Sequence, residues 1–286
     1  MSGDLPGAVG VLGGGRMGAG IAHAFLLGGA HVVVVERDEA EADAAADRIG
    51  AAVAASVKRG STTEHADAVL GRLRTAVAVA EFGDCELVIE AVPEDRALKT
   101  DALRAVEDVI RDGAALASNT SSISIDALAG SLRRPESFLG LHFFNPVPAS
   151  ALVEVVLGRS TASGLAEQAV GWVTALGKTP ITVRDAPGFA SSRLGVAIAL
   201  EAIRMLEDGV ASAADIDAAM VLGYRFPVGP LRLTDQVGLD VRLGIAEYLH
   251  AELGERFAPP QLLRDKVAAG DLGRKSGRGF FDWDGA

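Results

Sequence analysis

Residues 8–25, AVGVLGGGRMGAGIAHAF, join a short apolar run to a helix-forming run through a cluster of glycines. The apolar run at residues 8–12 has the length of a buried strand, and residues 21–27 favour a helix. A β-branched run at residues 31–35 follows and predicts a second strand. The stretch therefore predicts a βαβ unit, the building block of a parallel sheet.

The glycines of this unit, Gly13, Gly15 and Gly18, form the pattern GxGxxG directly after the first strand. Such glycines allow a tight turn, close approach of a pyrophosphate to the backbone, and close packing of helix on strand. Glu36 ends the second strand, where a carboxylate hydrogen-bonds the ribose of NAD and repels the 2′-phosphate of NADP. We therefore predict a dinucleotide site that prefers NAD, with Arg37 beside it weakening the discrimination.

Helical patterns alternate with strand patterns over the first two thirds of the chain, which predicts a largely parallel sheet covered on both faces. Residues 38–74 are rich in alanine and predict two helices broken near residues 60–62, a helical insertion too long for a simple crossover. Helices are also predicted at residues 95–110 and 163–176. The further strands are predicted at residues 75–79, 87–92, 114–117, 138–142, 152–157 and 181–183.

The pattern changes after residue 185, because only helices are predicted beyond it. These helices cover residues 187–207, 212–221, 239–253 and 260–269. We therefore predict an α/β fold with two domains: a Rossmann-like dinucleotide-binding domain at residues 1–185 and an all-α domain at residues 186–286.

Composition excludes several classes of protein. The net charge of −11 gives no electrostatic footprint for nucleic acid or an anionic membrane. Cys85 is the single cysteine, so disulfide frameworks and multi-cysteine metal sites are excluded, and a reducing cytoplasm fits best. We expect neither a membrane span nor an export signal, because the chain has no long uncharged apolar segment.

His142 and Glu154 are candidates for acid–base chemistry. They lie twelve residues apart in LHFFNPVPASALVEVV, each within an apolar run of strand length. Asn145, Pro146 and Pro148 favour a turn between the two runs, so adjacent strands can bring the two side chains together. A carboxylate that fixes an imidazole in one tautomer makes a general base, which alcohol oxidation by hydride loss requires. The alternative is a buried pair with a structural role only.

The stretch SNTSS, residues 118–122, follows a predicted strand at its carboxyl end, where open α/β sheets bind ligands. Its hydroxyl groups can donate to a substrate oxygen or to the carboxamide of nicotinamide. The alternative is a helix cap before residues 123–128, a role that serine and threonine favour.

Several stretches together resemble the 3-hydroxyacyl-CoA dehydrogenases, particularly the single-function bacterial 3-hydroxybutyryl-CoA type. These stretches are GGGRMGAGIAHAF, VIEAVPEDRALK, SNTSSISI, GLHFFNPVPASALVEVV, DAPGF and GRKSGRGFF, and they run from about residue 8 to residue 281. The HFFNP segment with LVEVV is far more specific than the glycine pattern. The resemblance implies NAD-dependent interconversion of an (S)-3-hydroxyacyl-CoA and its 3-oxoacyl-CoA.

The resemblance also implies roles for individual residues. His142 is the general base on the 3-hydroxyl group, Glu154 orients it, and Ser121 contacts that hydroxyl beside the nicotinamide. Without the resemblance, Lys99 reads as a solvated charge on a helix, and Lys275 as part of a polar loop. The implied NAD contacts are Gly13, Gly14, Gly15, Arg16, Met17, Gly18, Glu36, Glu94, Lys99, Ser121, Asn145 and Lys275.

On the substrate side, Lys58 and Arg59 are the cations near the implied CoA site. Ser192 stands in GFASSR where the family commonly has the asparagine of GFxxNR, which helps to bind substrate; the alternative is a buried helix serine without a binding role. The acyl group is expected between the two domains, and the helical domain, with GVAIAL from Gly195 onward, is expected to form a homodimer. As alternatives, the substrate is a sugar acid, a dicarboxylic acyl-CoA or a carrier-bound hydroxyacyl group, or the chain binds NAD without catalysis.

Overall fold

The computed structural model describes residues 4–283. The chain folds into two compact units, of which the first ends at Ala186 and the second begins at Pro187. The first is an α/β unit, and the described part of the second, residues 187–283, contains helices and no sheet, so the predicted fold class is confirmed.

The first unit is built on one eight-stranded sheet with the order β3-β2-β1-β4-β5-β6-β7-β8. All neighbouring strands are parallel except β6 and β7. Each predicted strand is present, although the third lies a few residues earlier than predicted because residues 79–82 form a short 3₁₀ turn. The strands are β1 (Ala8–Leu12), β2 (His31–Val35), β3 (Leu73–Ala76), β4 (Leu87–Glu90), β5 (Ala115–Ser118), β6 (Phe138–Phe143), β7 (Leu152–Leu157) and β8 (Thr179–Arg184).

Helices flank this sheet. Helix α1 begins at Arg16, five residues before the predicted start. The prediction omitted this first turn because Gly18 and Gly20 have low helix propensity, although close packing requires glycine at both positions. The helical insertion is present, and Asp38 caps it by accepting a hydrogen bond from the Glu41 amide. The helices are α1 (Arg16–Leu27), α2 (Glu39–Lys58), α3 (Ala66–Leu70), α4 (Arg96–Glu107), α5 (Ile125–Ala129) and α6 (Ser163–Ala175).

The second unit has its own apolar core, formed by residues from all its longer helices, with Val196, Leu200, Leu231 and Leu249 fully buried. One helix at residues 230–237 was not predicted, because charged and polar residues break its short apolar pattern. No helix among residues 4–283 is both long and apolar enough to cross a bilayer. The helices are α7 (Ser191–Glu207), α8 (Ala213–Ala218), α9 (Pro230–Val237), α10 (Leu239–Leu253) and α11 (Gln261–Ala268).

Close packing at the glycine turn gives a test of the fold. A Cβ atom on Gly18 would lie 1.7 Å from the Gly13 carbonyl oxygen, whereas a Cβ atom on Gly15 would meet nothing within 4 Å. Gly18→Ala should therefore lower the free energy of unfolding by about 1–3 kcal/mol or more, because the backbone must shift. Gly15→Ala, the matched control, should change it by less than about 0.5 kcal/mol. Equal effects in urea unfolding would contradict the packing described.

Candidate active site

The turn between β1 and α1 has the features of a phosphate cradle. Gly13 has a φ of 93°, which favours glycine, and the position of Gly15 faces open space. No side chain caps the amino terminus of α1 at Gly15. The backbone N–H groups and the partial positive charge of this helix end therefore suit the pyrophosphate of a dinucleotide.

Glu36 lies at the carboxyl end of β2 and contacts this turn directly. Its Oε1 accepts a hydrogen bond from the Gly14 amide at 2.6 Å, and Arg48 donates to the Gly14 carbonyl at 2.8 Å. The neighbouring Arg37 is engaged by acidic side chains of α2 and its cap, including Glu41 at 2.9 Å. The turn and the predicted ribose-binding carboxylate are thus held together, with the adjacent guanidinium occupied elsewhere.

A buried ion pair lies at the end of β4, the strand next to β1 in the sheet. Glu90 ends β4, and the Lys99 ammonium on α4 contacts its carboxylate at 2.7 Å. Ser118, at the end of β5, donates a further hydrogen bond to Glu90 at 2.6 Å. Burial raises the pKa of Glu90. The positive charge of Lys99 and the hydrogen bonds that the Glu90 carboxylate accepts oppose that shift. Because Lys99 is 1% exposed, its interpretation as a solvated helix charge is wrong.

Glu94 holds the SNTSS loop in place by accepting hydrogen bonds from it. Its Oε1 accepts hydrogen bonds from Thr120 Oγ1 at 2.6 Å, from the Ser121 amide at 3.0 Å and from the Ser122 amide at 3.1 Å. Burial acts to raise the pKa of Glu94, but Lys99 and the loop donors outweigh it and hold that pKa below its usual range. The cap of helix α5 is Ser124, so the cap does not come from residues 118–122.

His142 and Glu154 face each other across the antiparallel strands β6 and β7, as directly paired residues. Nδ1 of His142 lies 2.6 Å from Oε2 of Glu154, and both side chains are buried. A carboxylate only accepts hydrogen bonds, so the imidazole donates from Nδ1 and its neutral form has Nε2 as the basic nitrogen. The Phe144 ring packs 4.4 Å from the imidazole, centroid to centroid.

These groups share one edge of the sheet because the parallel strands β1, β2, β4, β5 and β6 end there, and the antiparallel β7, which carries Glu154, begins there. Hydrogen bonds join the edge together: Asn119 donates from its amide to the Glu90 carbonyl at 2.8 Å, and its side chain accepts from the Phe143 amide at 2.9 Å. The loop after β5 is therefore bonded to the ends of β4 and β6, next to the His142–Glu154 pair. Asn145, an exposed residue, begins the loop after β6.

A cavity of about 620 Å³ lies between α1, α2 and the loop that joins β6 to β7. Arg59 lines it and donates to Ser56 Oγ at 3.2 Å. Lys178 also lines it and donates to the carbonyls of Val147 and Ser150, at 2.6 Å each. Burial lowers the pKa of Lys178. Of the two predicted cations, Arg59 lines this cavity, while Lys58 is the last residue of α2 beside it.

In the helical unit, Lys275 lies on a short turn after α11 and its Nζ contacts the Asp240 carboxylate at 2.6 Å. The buried Asp235 of α9 holds the following segment by accepting hydrogen bonds from the amides of Phe280 and Phe281. Ser192 lies in the first turn of α7 and is half-buried.

The sequence reasoning missed Glu90, whose carboxylate organises Lys99 and Ser118. A charged residue at the end of the apolar run LVIE, nine positions before a lysine, was the available signal. It was overlooked because charges at strand ends are commonly solvated, whereas Glu90 is fully buried.

The buried pair gives a prediction. Lys99→Met leaves the Glu90 carboxylate buried without its cation and should lower the free energy of unfolding by about 3–5 kcal/mol. The variant raises the folded-state pKa of Glu90 further, so the loss should be larger at about pH 8 than at about pH 5. The double variant Glu90→Gln/Lys99→Met, measured in parallel by urea unfolding, should recover most of it. A pH-independent loss that the double variant shares would contradict the pairing.

Comparison with known proteins agrees with this arrangement. The family described as 3-hydroxyacyl-CoA dehydrogenase, NAD binding domain, matches residues 8–186, and the C-terminal domain of the same family matches residues 188–283. A 3-hydroxybutyryl-CoA dehydrogenase of Mycobacterium tuberculosis is 43% identical over 279 residues, covering 96% of this chain and 98% of the relative. A probable 3-hydroxybutyryl-CoA dehydrogenase of Deinococcus radiodurans is 41% identical over 275 residues, covering 96% and 99%.

Among solved structures, an (S)-3-hydroxybutyryl-CoA dehydrogenase of Ralstonia eutropha superimposes with a TM-score of 0.93 at 37% identity, covering 98% of this chain and 99% of that one. The two domain matches follow each other in the same order as the two units of the structure. The chain therefore belongs to the 3-hydroxyacyl-CoA dehydrogenase family of NAD-dependent oxidoreductases.

Proposed function

We propose that this protein interconverts an (S)-3-hydroxyacyl-CoA and the corresponding 3-oxoacyl-CoA, with short acyl chains of the 3-hydroxybutyryl type among its substrates. The observation that carries the proposal is the buried contact of 2.6 Å between His142 and Glu154 at the ligand-binding edge of the sheet. The names of the similar bacterial dehydrogenases support the acyl-CoA class.

His142 acts as the general base in this proposal. Its Nε2 accepts the proton as the O–H bond of the 3-hydroxyl group breaks and the C3–H bond gives up a hydride. Glu154 keeps the imidazole in the tautomer with Nδ1 protonated, and its negative charge stabilises the imidazolium that results. Ser121 donates a hydrogen bond to the same substrate oxygen, from the loop that Glu94 holds.

NAD, when bound, supplies the hydride acceptor. The Gly13–Gly18 turn fits its pyrophosphate, since no side chain caps α1 and the Gly15 position is open, and Arg16 and Met17 begin that helix. Glu36 suits the adenosine ribose. Glu94, Lys99 and Ser121 lie along the edge toward the nicotinamide, and Asn145 and Lys275 complete the proposed contacts.

The CoA portion requires cations and room. The cavity beside α2 supplies both: it has a volume of about 620 Å³, and the cations Arg59 and Lys178 line it. We assign Arg59, with Lys58 next to it, to the CoA phosphates, which planar guanidinium groups bind well. Ser192 at the start of α7 is assigned to the acyl group, with a hydroxyl in place of the longer carboxamide.

The principal test is His142→Gln. The variant should bind NAD as the wild type does, because the pyrophosphate and the ribose are assigned to the glycine turn and to Glu36, which the substitution leaves unchanged. Its turnover of 3-hydroxybutyryl-CoA should fall by at least about 100-fold, the lower end of the contribution of a positioned base. Turnover is followed by NADH absorbance and NAD affinity by titration.

Wild-type turnover in this variant would refute the base assignment. The same assay separates the alternatives. Activity on free hydroxyacids with none on thioesters favours the sugar-acid type of enzyme, and NAD binding without turnover of any hydroxyacyl substrate favours a noncatalytic protein.

The exposed apolar surface of the helical unit supports a homodimer. Leu194 and Ile198 form a stripe one turn apart on α7, and Leu194 is 64% exposed. Light scattering should give a mass close to twice 29.4 kDa. Leu194→Glu should shift that mass toward the monomer, and a monomeric wild type would contradict the proposal.

A cytoplasmic location accords with Cys85, a buried free thiol.

A further inference from the structure

Arg242 is a buried cation with no anion to neutralise it. It lies in the first turn of α10 and is 5% exposed. Its Nε has no hydrogen-bond partner, and no carboxylate within residues 4–283 lies at ion-pair distance from the guanidinium. A guanidinium offers five N–H donors in a planar fork, and burying it without acceptors is unfavourable. A buried arginine without a carboxylate partner is a candidate binding site for an anionic group of a ligand.

The three acidic side chains of α10 do not neutralise this guanidinium: two are paired with other cations, and Glu252, ten positions farther along the helix, makes no ion pair with it. Asp240 is engaged by Lys275, and Glu247 by Arg264. Burial lowers the pKa of Arg242 to about 10, so the side chain still carries its charge at neutral pH. The helical unit therefore retains an uncompensated positive charge in its interior.

The position of the guanidinium indicates which part of a ligand it meets. A Cβ atom built on Gly195 of α7 would lie 3.6 Å from one terminal nitrogen of Arg242, so the guanidinium rests against α7 where a side chain is missing. Ser192 precedes Gly195 by three residues and therefore lies on the same face of the helix. The cation and the residue assigned to the acyl group thus share one surface of α7.

We propose that Arg242 binds a carboxylate at the far end of the acyl chain, so that the preferred substrates are 3-hydroxyacyl thioesters of dicarboxylic acids. The inference rests on the proposed function, in which Ser192 faces the acyl group. A carboxylate matches the planar guanidinium with two parallel hydrogen bonds, whereas a methyl-terminated chain leaves the donors unpaired. A site built to hydrogen-bond a ligand group discriminates strongly against an analogue that lacks it.

The test compares two 3-oxoacyl-CoA substrates of equal length that differ only at the terminus: 3-oxoadipyl-CoA, which ends in a carboxylate, and 3-oxohexanoyl-CoA, which ends in a methyl group. The wild type, assayed with NADH, should show a kcat/KM at least about 10-fold higher for the carboxylate-terminated substrate. Arg242→Met should abolish this preference by raising KM for 3-oxoadipyl-CoA, with turnover of 3-oxohexanoyl-CoA unchanged or improved.

Arg264→Met, an arginine of the same unit on the exposed side of α11, is the matched control and should keep the wild-type preference. Equal wild-type kcat/KM values for the two substrates would overturn the inference, even if Arg242→Met fails to fold. Equal losses on both substrates in a folded Arg242→Met variant would overturn it as well. If the wild type turns over both substrates with no preference for the carboxylate-terminated one, only this inference is overturned. If it turns over no thioester at all, the proposed function is overturned as well.

Discussion

The antiparallel pairing of β6 and β7 is the constraint on which the candidate active site depends. Every other pair of neighbouring strands in the sheet is parallel, and the single reversal makes His142 and Glu154 direct cross-strand neighbours. Side chains alternate between the two faces of a strand, so a shift of the register by one residue would send Glu154 to the opposite face. The flanking apolar residues, buried on both sides, hold that register.

Several carboxylates lie at the same edge, and those of Glu36, Glu90 and Glu94 each accept hydrogen bonds there. Glu90 is paired with Lys99, Glu94 is surrounded by loop donors, and Glu36 accepts a hydrogen bond from the glycine turn. Such pairs add little net stability but fix geometry, because either partner alone would be a buried charge. Arg242 in the helical unit is the contrast, since its Nε has no hydrogen-bond partner and no carboxylate among residues 4–283 forms an ion pair with it.

The fold was largely predictable because its signals are local. Apolar runs and glycines define β1, the turn and β2, and the break in the alanine-rich insertion falls where the sequence places it. The pairing of His142 with Glu154 followed from the turn formers between them. Helix α9 and the burial of Lys99 were not predictable in this way, because tertiary contacts decide both: Asp235 and Glu90 supply the partners that polar residues need when buried.

The central claim is that Glu154 fixes the tautomer of His142, and imidazole ¹⁵N NMR of the NAD-free protein measures this directly. The account predicts that Nδ1 of His142 carries the proton and that Nε2 is the unprotonated nitrogen of the neutral ring. Glu154→Gln, which can offer a donor to Nδ1, should disturb that assignment. A neutral ring protonated at Nε2 in the wild type would contradict the role given to both residues.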